Sequence, residues 1–337
     1  MKKEIIIHIG DHKAGSTAIQ MAFHENNIIA DELFYPKAHE KSFVMHNHNF
    51  YAKSIGTNYE DEAMDNLKEQ ILKSDKSKVV LSSAHYVRAD PKALNAHIKK
   101  HFYEIAEDIK VVRYLRPAIE YCKSLYAEMV KIGEIRDDFR SYFRSCDWAL
   151  PLYADSINAL NNQDFNIITK PLVPEALYNG DIVEDFLHLC VGNNYKILNG
   201  DKVNVALSAQ HLSIVKFMHT QFKDRNFDEL RDDGYNLEEV VKTHISVNNP
   251  VEFQIPKQIA EEIALNPVYI KDAKLVDELL TPGHNHMYNN LHTSLNQTPE
   301  YDISLNIEDW FSLEVIQAFK AWADFVEINK KIPPRSK

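Results

Sequence analysis

Residues 5–20 read IIIHIGDHKAGSTAIQ. An apolar, β-branched run passes into a glycine, a polar loop with one lysine, a second glycine and two hydroxyl residues ahead of a helical pattern. The run EIIIHIG, residues 4–10, carries almost no polar face, as expected of a strand buried on both sides within a parallel sheet. Thr17 to about Asn26 then reads as a helix. A strand of this kind followed at once by a helix points to an α/β layer structure and argues against an all-β or all-helical one.

The alternation continues downstream. Ala63, Met64, Leu67, Ile71 and Leu72 recur at helical spacing over residues 60–74, KVVLSSA from Lys78 is a second buried strand, and Pro91 with Asp90 as cap opens a helix in DPKALNAHIKKHFYEIA. A third strand, IKVVRYLR (109–116), leads through Pro117 into the helical AIEYCKSLYAEMVKIG, and a fourth, FNIITKPL (165–172), follows the helix YADSINALNN. Together they predict a three-layer α/β fold of P-loop type, a mostly parallel sheet flanked by helices. From about residue 180 the pattern is helical, in DIVEDFLHLCVG, SAQHLSIVKFMHTQFKD, PKQIAEEIAL and IEDWFSLEVIQAFKAWADFVEI. A helical C-terminal half is therefore expected. With neither internal repeat nor linker, one domain over 1–337 is expected, its core in roughly 4–220 and the rest a mainly helical extension packed on it.

The 49 acidic residues against 38 Lys and Arg leave a net charge of −11, which argues against a nucleic-acid binder and requires any anionic ligand to find a local positive site. Cys122, Cys146 and Cys190, odd in number and widely spaced, fit buried thiols in a reducing compartment. The N-terminal apolar run is too short for a signal peptide or a membrane span, so a cytoplasmic protein without integral membrane segment is expected.

The loop itself bears comparison with the phosphate-binding pattern G-x-x-x-x-G-K-[ST]. Gly10 and Gly15 have the required separation and Thr17 follows correctly, while Ser16 stands in the lysine position and the lysine, Lys13, lies inside the loop. The first strand-to-helix turn of a parallel sheet aims backbone N–H groups and a helix N-terminus at its ligand, a ready anion site.

The stretch HIGDHKAGST resembles the 5′-phosphosulfate loop of the sulfotransferases that use 3′-phosphoadenosine 5′-phosphosulfate (PAPS), bacterial carbohydrate-modifying members in particular, where a lysine stands two residues before the second glycine. In that family an Arg at a strand end and a Ser eight residues later grip the 3′-phosphate; VVRYLRPAIEYCKSLY supplies Arg116 and Ser124 at that separation. The likeness runs on through GDIVEDFLHLCVG and NVALSAQHLSIVKFM, covering roughly residues 4–220. It implies that His12, Lys13, Ala14, Gly15, Ser16 and Thr17 bind the phosphosulfate of PAPS and that Arg116 and Ser124 bind its 3′-phosphate. It further implies transfer of sulfonate to a hydroxyl of a carbohydrate or other small acceptor, with 3′-phosphoadenosine 5′-phosphate as product. Lys13 would act where charge develops on the leaving nucleotide, with no obligatory metal.

One departure concerns the general base. Many bacterial relatives carry Ser-Ser-Glu at the end of the second strand, whereas this chain has Ser82, Ser83 and Ala84. His48, in MHNHNFYAKS, and His85 are the candidates to replace that carboxylate, since histidine titrates close to neutral pH. The triplets HNH at 46–48 and 284–286 lack metal-site spacing, so no metal is expected there. Trp310, Phe311, Phe319, Trp322 and Phe325 are expected to pack the final helix on the core. Two alternatives stay open. A P-loop nucleotide kinase or hydrolase suits the glycine spacing but lacks a lysine directly before Thr17, and a catalytically degenerate nucleotide or sugar binder suits Ala84 and KAGST.

Overall fold

The computed structural model describes residues 2–24, 27–42, 46–145, 150–198, 206–222, 226–280 and 282–330; Cys146 falls outside them. The strands are β1 (Lys3–Ile9), β2 (Ile28–Ile29), β3 (Leu33–Phe34), β4 (Lys78–Ser83), β5 (Ala106–Leu115), β6 (Asn166–Pro171) and β7 (Lys196–Ile197). The helices are α1 (Ser16–His24), α2 (Asn49–Lys53), α3 (Glu60–Lys73), α4 (Pro91–Phe102), α5 (Ala118–Lys131), α6 (Phe139–Ser145), α7 (Ala154–Asn161) and α8 (Ile182–Val191), followed by α9 (Ala209–Gln221), α10 (Phe227–His244), α11 (Lys257–Ala264), α12 (Pro267–Leu280), α13 (His286–Gln297) and α14 (Leu313–Lys330). Among the described residues no helix is long and apolar enough to cross a membrane.

The chain divides into two compact units. One comprises Met1–Pro117, Pro151–Asn204 and Asn266–Leu291, the other Ala118–Leu150, Val205–Leu265 and His292–Lys337. The first holds a five-stranded parallel sheet in the order β3-β4-β1-β5-β6, with β2 and β7 as a separate antiparallel pair. In the register Ile5 and Ile7 of β1 stand beside Val79 and Leu81 of β4 and beside Ile109 and Val111 of β5.

The absence of a polar face on β1 now has its cause. Ile5, Ile7 and Ile9, with Val79, Leu81 and Val111, pack against Met64 and Leu67 of α3 and Leu94 and Ile98 of α4. The alternate residues Ile6, Val80, Val112 and Tyr114 pack on the other face against Ile19 of α1 and Phe186 and Cys190 of α8. Each such side chain contributes about 1.5–3 kcal/mol by leaving water, and burial on both faces makes the fold α/β with helices in both outer layers, as expected. Since β3 and β4 lie on one side of β1 and β5 and β6 on the other, the connections leaving the carboxyl ends of β1 and β5 diverge, which opens the crevice where ligands bind in such sheets.

The second unit is helical. Its α9 is buried through Leu212, Ile214, Val215 and Met218, and it packs on α5, α10 and α14. Gly234 of α10 is required because a Cβ there would stand 2.1 Å from the Lys131 carbonyl oxygen at the end of α5. Five helices, α2, α6, α10, α12 and α13, occupy segments in which the sequence pattern predicts no element, and β5 begins at Ala106, inside the stretch read as helix. The final helix departs from expectation as well. Phe311, Phe319 and Trp322 are only partly buried and Phe325 is 64% exposed, because the buried line of α14 is narrow and contains Ala323 rather than the aromatics. Cys122 and Cys190 are buried, and burial pushes the Cys190 thiol up.

A polar knot ties α8 to the sheet. Asp185, almost fully buried, accepts from the Tyr114 hydroxyl at 2.7 Å and the Tyr178 amide at 2.7 Å, and pairs with Lys170. Asp185→Ala strands all three donors and is expected to cost roughly 3–5 kcal/mol. Asp90→Ala removes the exposed N-cap of α4, where one oxygen accepts from Lys92 and Ala93 amides, and should cost roughly 1 kcal/mol. Urea unfolding of the two variants checks the contrast; equal losses would show that the Asp185 cluster carries no special weight.

Candidate functional site

The loop between β1 and α1 is built on close approaches. A Cβ on Gly10 would lie 1.9 Å from Ser16 Oγ, so the serine side chain folds back over the glycine. Gly15 has φ +80°, and a Cβ there would meet Ile182 Cδ1 at 2.5 Å. Lys13 also adopts a left-handed backbone, φ 60°, which costs a residue with a side chain on the order of 1 kcal/mol and points to a functional constraint. Ala14 donates its amide to Asp11 O at 3.2 Å, and the first helical bonds run from Ala18 and Ile19 to Gly15 O. The amides of Gly15, Ser16 and Thr17 thus precede the helical ladder, the position from which helix N-termini bind anions. Ser16 is 8% exposed and its Oγ is buried with no protein partner, a group that an acceptor oxygen from a ligand would satisfy. Thr17 is exposed, and Ala14 is buried in the core facing α8, so its side chain serves packing.

An ion pair fixes this loop to the neighbouring strand. Arg113 of β5, 2% exposed, donates from Nε to Asp11 Oδ2 at 2.7 Å and from a terminal nitrogen to Ser156 Oγ at 3.0 Å, and its guanidinium lies 5.7 Å from the Tyr153 ring centroid. Arg113 thereby ties the loop after β1 to β5 and to the start of α7. Arg116, at the carboxyl end of β5, emerges on the same sheet edge as the loop, because β1 and β5 are parallel. Its carbonyl accepts from the Tyr153 hydroxyl at 3.0 Å. Ser124 lies partly buried on α5, in the second unit.

Positive charge collects around the loop. Burial, Arg88 and Lys13 hold the His12 imidazole below its ordinary range, with Asp11 opposing, and Arg88 donates to His12 Nε2 at 2.9 Å. His85 is pushed down to about 4 by burial first, then by Lys53, Arg88 and His12. Lys13, Lys53 and Arg88 thus supply the local positive field that an anionic ligand of this acidic chain needs. The sequence reading missed Lys53 and Arg88, since lone cations 35 and more residues from the loop carry no motif.

The two histidine candidates differ in kind. His48 is fully buried and both ring nitrogens are engaged by backbone: Nδ1 accepts from the Ser82 amide at 2.9 Å and Nε2 lies 2.8 Å from Pro36 O. Its pKa is pushed down to about 4 by burial, opposed by the Pro36 carbonyl. Its ring joins the segment at Pro36 to β4. His85, two residues past the end of β4, is half-buried; its amide donates to Ser83 Oγ at 2.9 Å and its carbonyl accepts from the Arg88 amide at 3.1 Å. A further histidine outside the expected set, His8 of β1, is buried with Nδ1 2.8 Å from Ser82 Oγ and is held neutral, at about 3, by burial. A cavity of about 320 Å³ lies at the opposite sheet edge, lined by Tyr103, Glu107, Asp108, Asp164, Phe165 and Asn166; its carboxylates make it a poor place for an anion. No family model and no curated protein matches the chain.

Two outcomes follow from these contacts. Asp11→Ala leaves the Arg113 guanidinium buried without its counter-charge and is expected to cost about 3–5 kcal/mol, much of it recovered when Arg113→Met is added; urea unfolding of single and double variants measures this. The second is a pH effect. His48 is neutral in the folded chain down to about pH 4, whereas the unfolded chain protonates it near 6.5. Protons therefore bind preferentially to the unfolded state between those values, and stability present above pH 6.5 is lost as pH falls to about 4, by about 3 kcal/mol for this group. His48→Gln should flatten that part of the stability profile, and an unchanged slope would reassign the effect.

Proposed function

We propose that the chain is a PAPS-dependent sulfotransferase that moves a sulfonate group to a hydroxyl of a carbohydrate or another small acceptor. The observation that carries the reading is the buried, partnerless Ser16 hydroxyl at the N-terminus of α1, in a loop that strains Lys13 into a left-handed backbone. The amides of Gly15, Ser16 and Thr17 with Ser16 Oγ receive the 5′-phosphosulfate, and Arg116 at the same sheet edge receives the 3′-phosphate.

The chemistry then assigns roles. The acceptor oxygen attacks sulfur in line, the bond from sulfur to the bridging oxygen breaks, and its electrons remain on the 5′-phosphate of the leaving nucleotide. Lys13 offsets the charge that grows on that oxygen. The acceptor proton goes to His85 in preference to His48, whose ring nitrogens already serve the backbone. His85 is a weak base in the free protein because Lys53, Arg88 and His12 crowd it with positive charge. A bound polyanion offsets those cations and raises its basicity. His12, accepting from Arg88, orients that guanidinium. The end of β4 carries Ser82 and Ser83, so a kinase or hydrolase would lack the usual carboxylate for Mg²⁺ there.

Nucleotide preference tests the reading. Adenosine 3′,5′-bisphosphate is expected to raise the unfolding temperature at concentrations where AMP and ATP do little, with or without Mg²⁺. Arg116→Ala should erase that preference, a loss of roughly 10- to 150-fold in affinity. With labelled PAPS and a panel of sugar, glycolipid and phenolic acceptors, Lys13→Ala should abolish transfer yet keep the fold, and His85→Ala should slow it by ~10²-fold or more. Stabilisation by Mg²⁺ and ATP equal to that by the bisphosphate would sink the proposal in favour of a kinase. Tight bisphosphate binding with no acceptor turned over would leave a nucleotide-binding protein without catalysis.

A further inference from the structure

We infer that Glu60, His97 and His101 form a binding site for one divalent transition-metal ion, zinc above all, which staples α3 to α4 independently of the anion loop. His97 and His101 are four residues apart on α4 and so share one helix face. Glu60 is the first residue of α3. Its Oε1 lies 2.7 Å from His97 Nδ1 and 3.1 Å from His101 Nε2, and its other oxygen accepts from the Gly56 amide at 2.7 Å, which fixes the carboxylate plane. One ligand atom from each of the three residues falls within 4.8 Å of the others. Asp61 Oδ1, 3.6 Å from His101 Nε2, is within reach as a fourth ligand on exchanging its present partner Lys100.

Hydrogen bonding alone is an incomplete account of this cluster. Both imidazole side chains are 1% exposed and the Glu60 carboxylate 13%. The second nitrogen of each ring, His97 Nε2 and His101 Nδ1, is buried without a partner. These are not the nitrogens that face Glu60: an ion bound beside the carboxylate takes His97 Nδ1 and His101 Nε2, with each ring proton moved to the far nitrogen. Two imidazoles with one or two carboxylates suit a borderline ion such as Zn²⁺, and the burial of His97, His101 and the Glu60 carboxylate marks a structural site rather than a catalytic one. Ligands of a tetrahedral zinc ion stand roughly 3.3 Å apart, given bonds of about 2.0–2.1 Å, a spacing that the 2.7 and 3.1 Å from Glu60 Oε1 to the two imidazoles bracket from below and that the 4.8 Å limit on all three atoms brackets from above. Nothing in HxxxH at 97–101 announces this from sequence, because Glu60 lies 37 residues upstream.

Metal titration decides the matter. The full chain, stripped with EDTA, is titrated with Co²⁺ and then Zn²⁺ while visible absorption, metal content and unfolding temperature are followed. One Co²⁺ per chain is expected, with the intense visible bands of a four-coordinate ion, displaced by Zn²⁺, and with a rise of several degrees in unfolding temperature at saturating metal. His101→Gln and Glu60→Gln should each weaken binding more than about 100-fold, beyond the usual loss for a residue that only supports a ligand. His284→Ala, which removes one of the stacked pair His284 and His286, and Lys13→Ala should leave the titration unchanged. Absence of a saturable single site, the pale spectrum of a six-coordinate ion, or binding that survives His101→Gln would overturn the inference. Should that variant fail to fold, stoichiometry and spectrum of the unaltered chain decide alone.

Discussion

The salt bridge from Arg113 to Asp11 is the constraint on which the candidate site depends. Its two members come from neighbouring parallel strands, one within β5 and one just past the end of β1, so the pair transfers the register of the sheet to the loop. Ser156 and the Tyr153 ring occupy other sides of the guanidinium, and the Tyr153 hydroxyl also holds the Arg116 carbonyl. One small region of α7 and its approach thereby supports both the loop and the carboxyl end of β5. A buried ion pair is a poor source of stability in itself, but it is specific about geometry. Here that specificity places Lys13 and the amides that follow it.

Electrostatics around this frame are divided by depth. The inner histidines, His8 and His48, are neutral because they are out of water; His8 Nδ1 meets the Ser82 hydroxyl, and both ring nitrogens of His48 meet backbone groups. Nearer the surface, Lys13, Lys53 and Arg88 concentrate positive charge on a chain whose total is −11. Such a field draws anions to the loop and makes His85 responsive to what binds there.

Much of this architecture is legible in the sequence, for a definite reason. Strands β1 and β4, and β5 from Val111 to Leu115 apart from Arg113, bury apolar residues on both faces and so stand out from their surroundings, and the glycines at 10 and 15 are fixed by contacts with Ser16 and Ile182 that only a missing side chain permits. Helix α10 stayed hidden because it is acidic, has a glycine at its centre, and buries little beyond Leu237 and Val241. The role of Arg113 was invisible because its partner is 102 residues away. Histidine 48 illustrates a different limit: its place beside β4 follows from tertiary pairing with the Ser82 amide, which no local pattern encodes. The aromatics of α14 misled for a third reason. Hydrophobic composition suggested a buried face, but the residue that meets the core is Ala323, whose small size lets the helix approach.

The interleaving of the two compact units bears on how the molecule can be made. The sheet-bearing unit starts with β1 and is completed only by Asn266–Leu291, and the helical unit starts at Ala118 and runs to the C-terminus. A ribosome therefore releases the first strand long before its unit has all its parts. All five strands of the sheet are synthesised by Pro171, whereas the last part of their unit, which includes α12, follows about a hundred residues later. Proteins whose contacts join distant parts of the chain fold slowly and expose sticky surface for longer. Because the segments of the two units alternate along the chain, no single cleavage releases either unit whole.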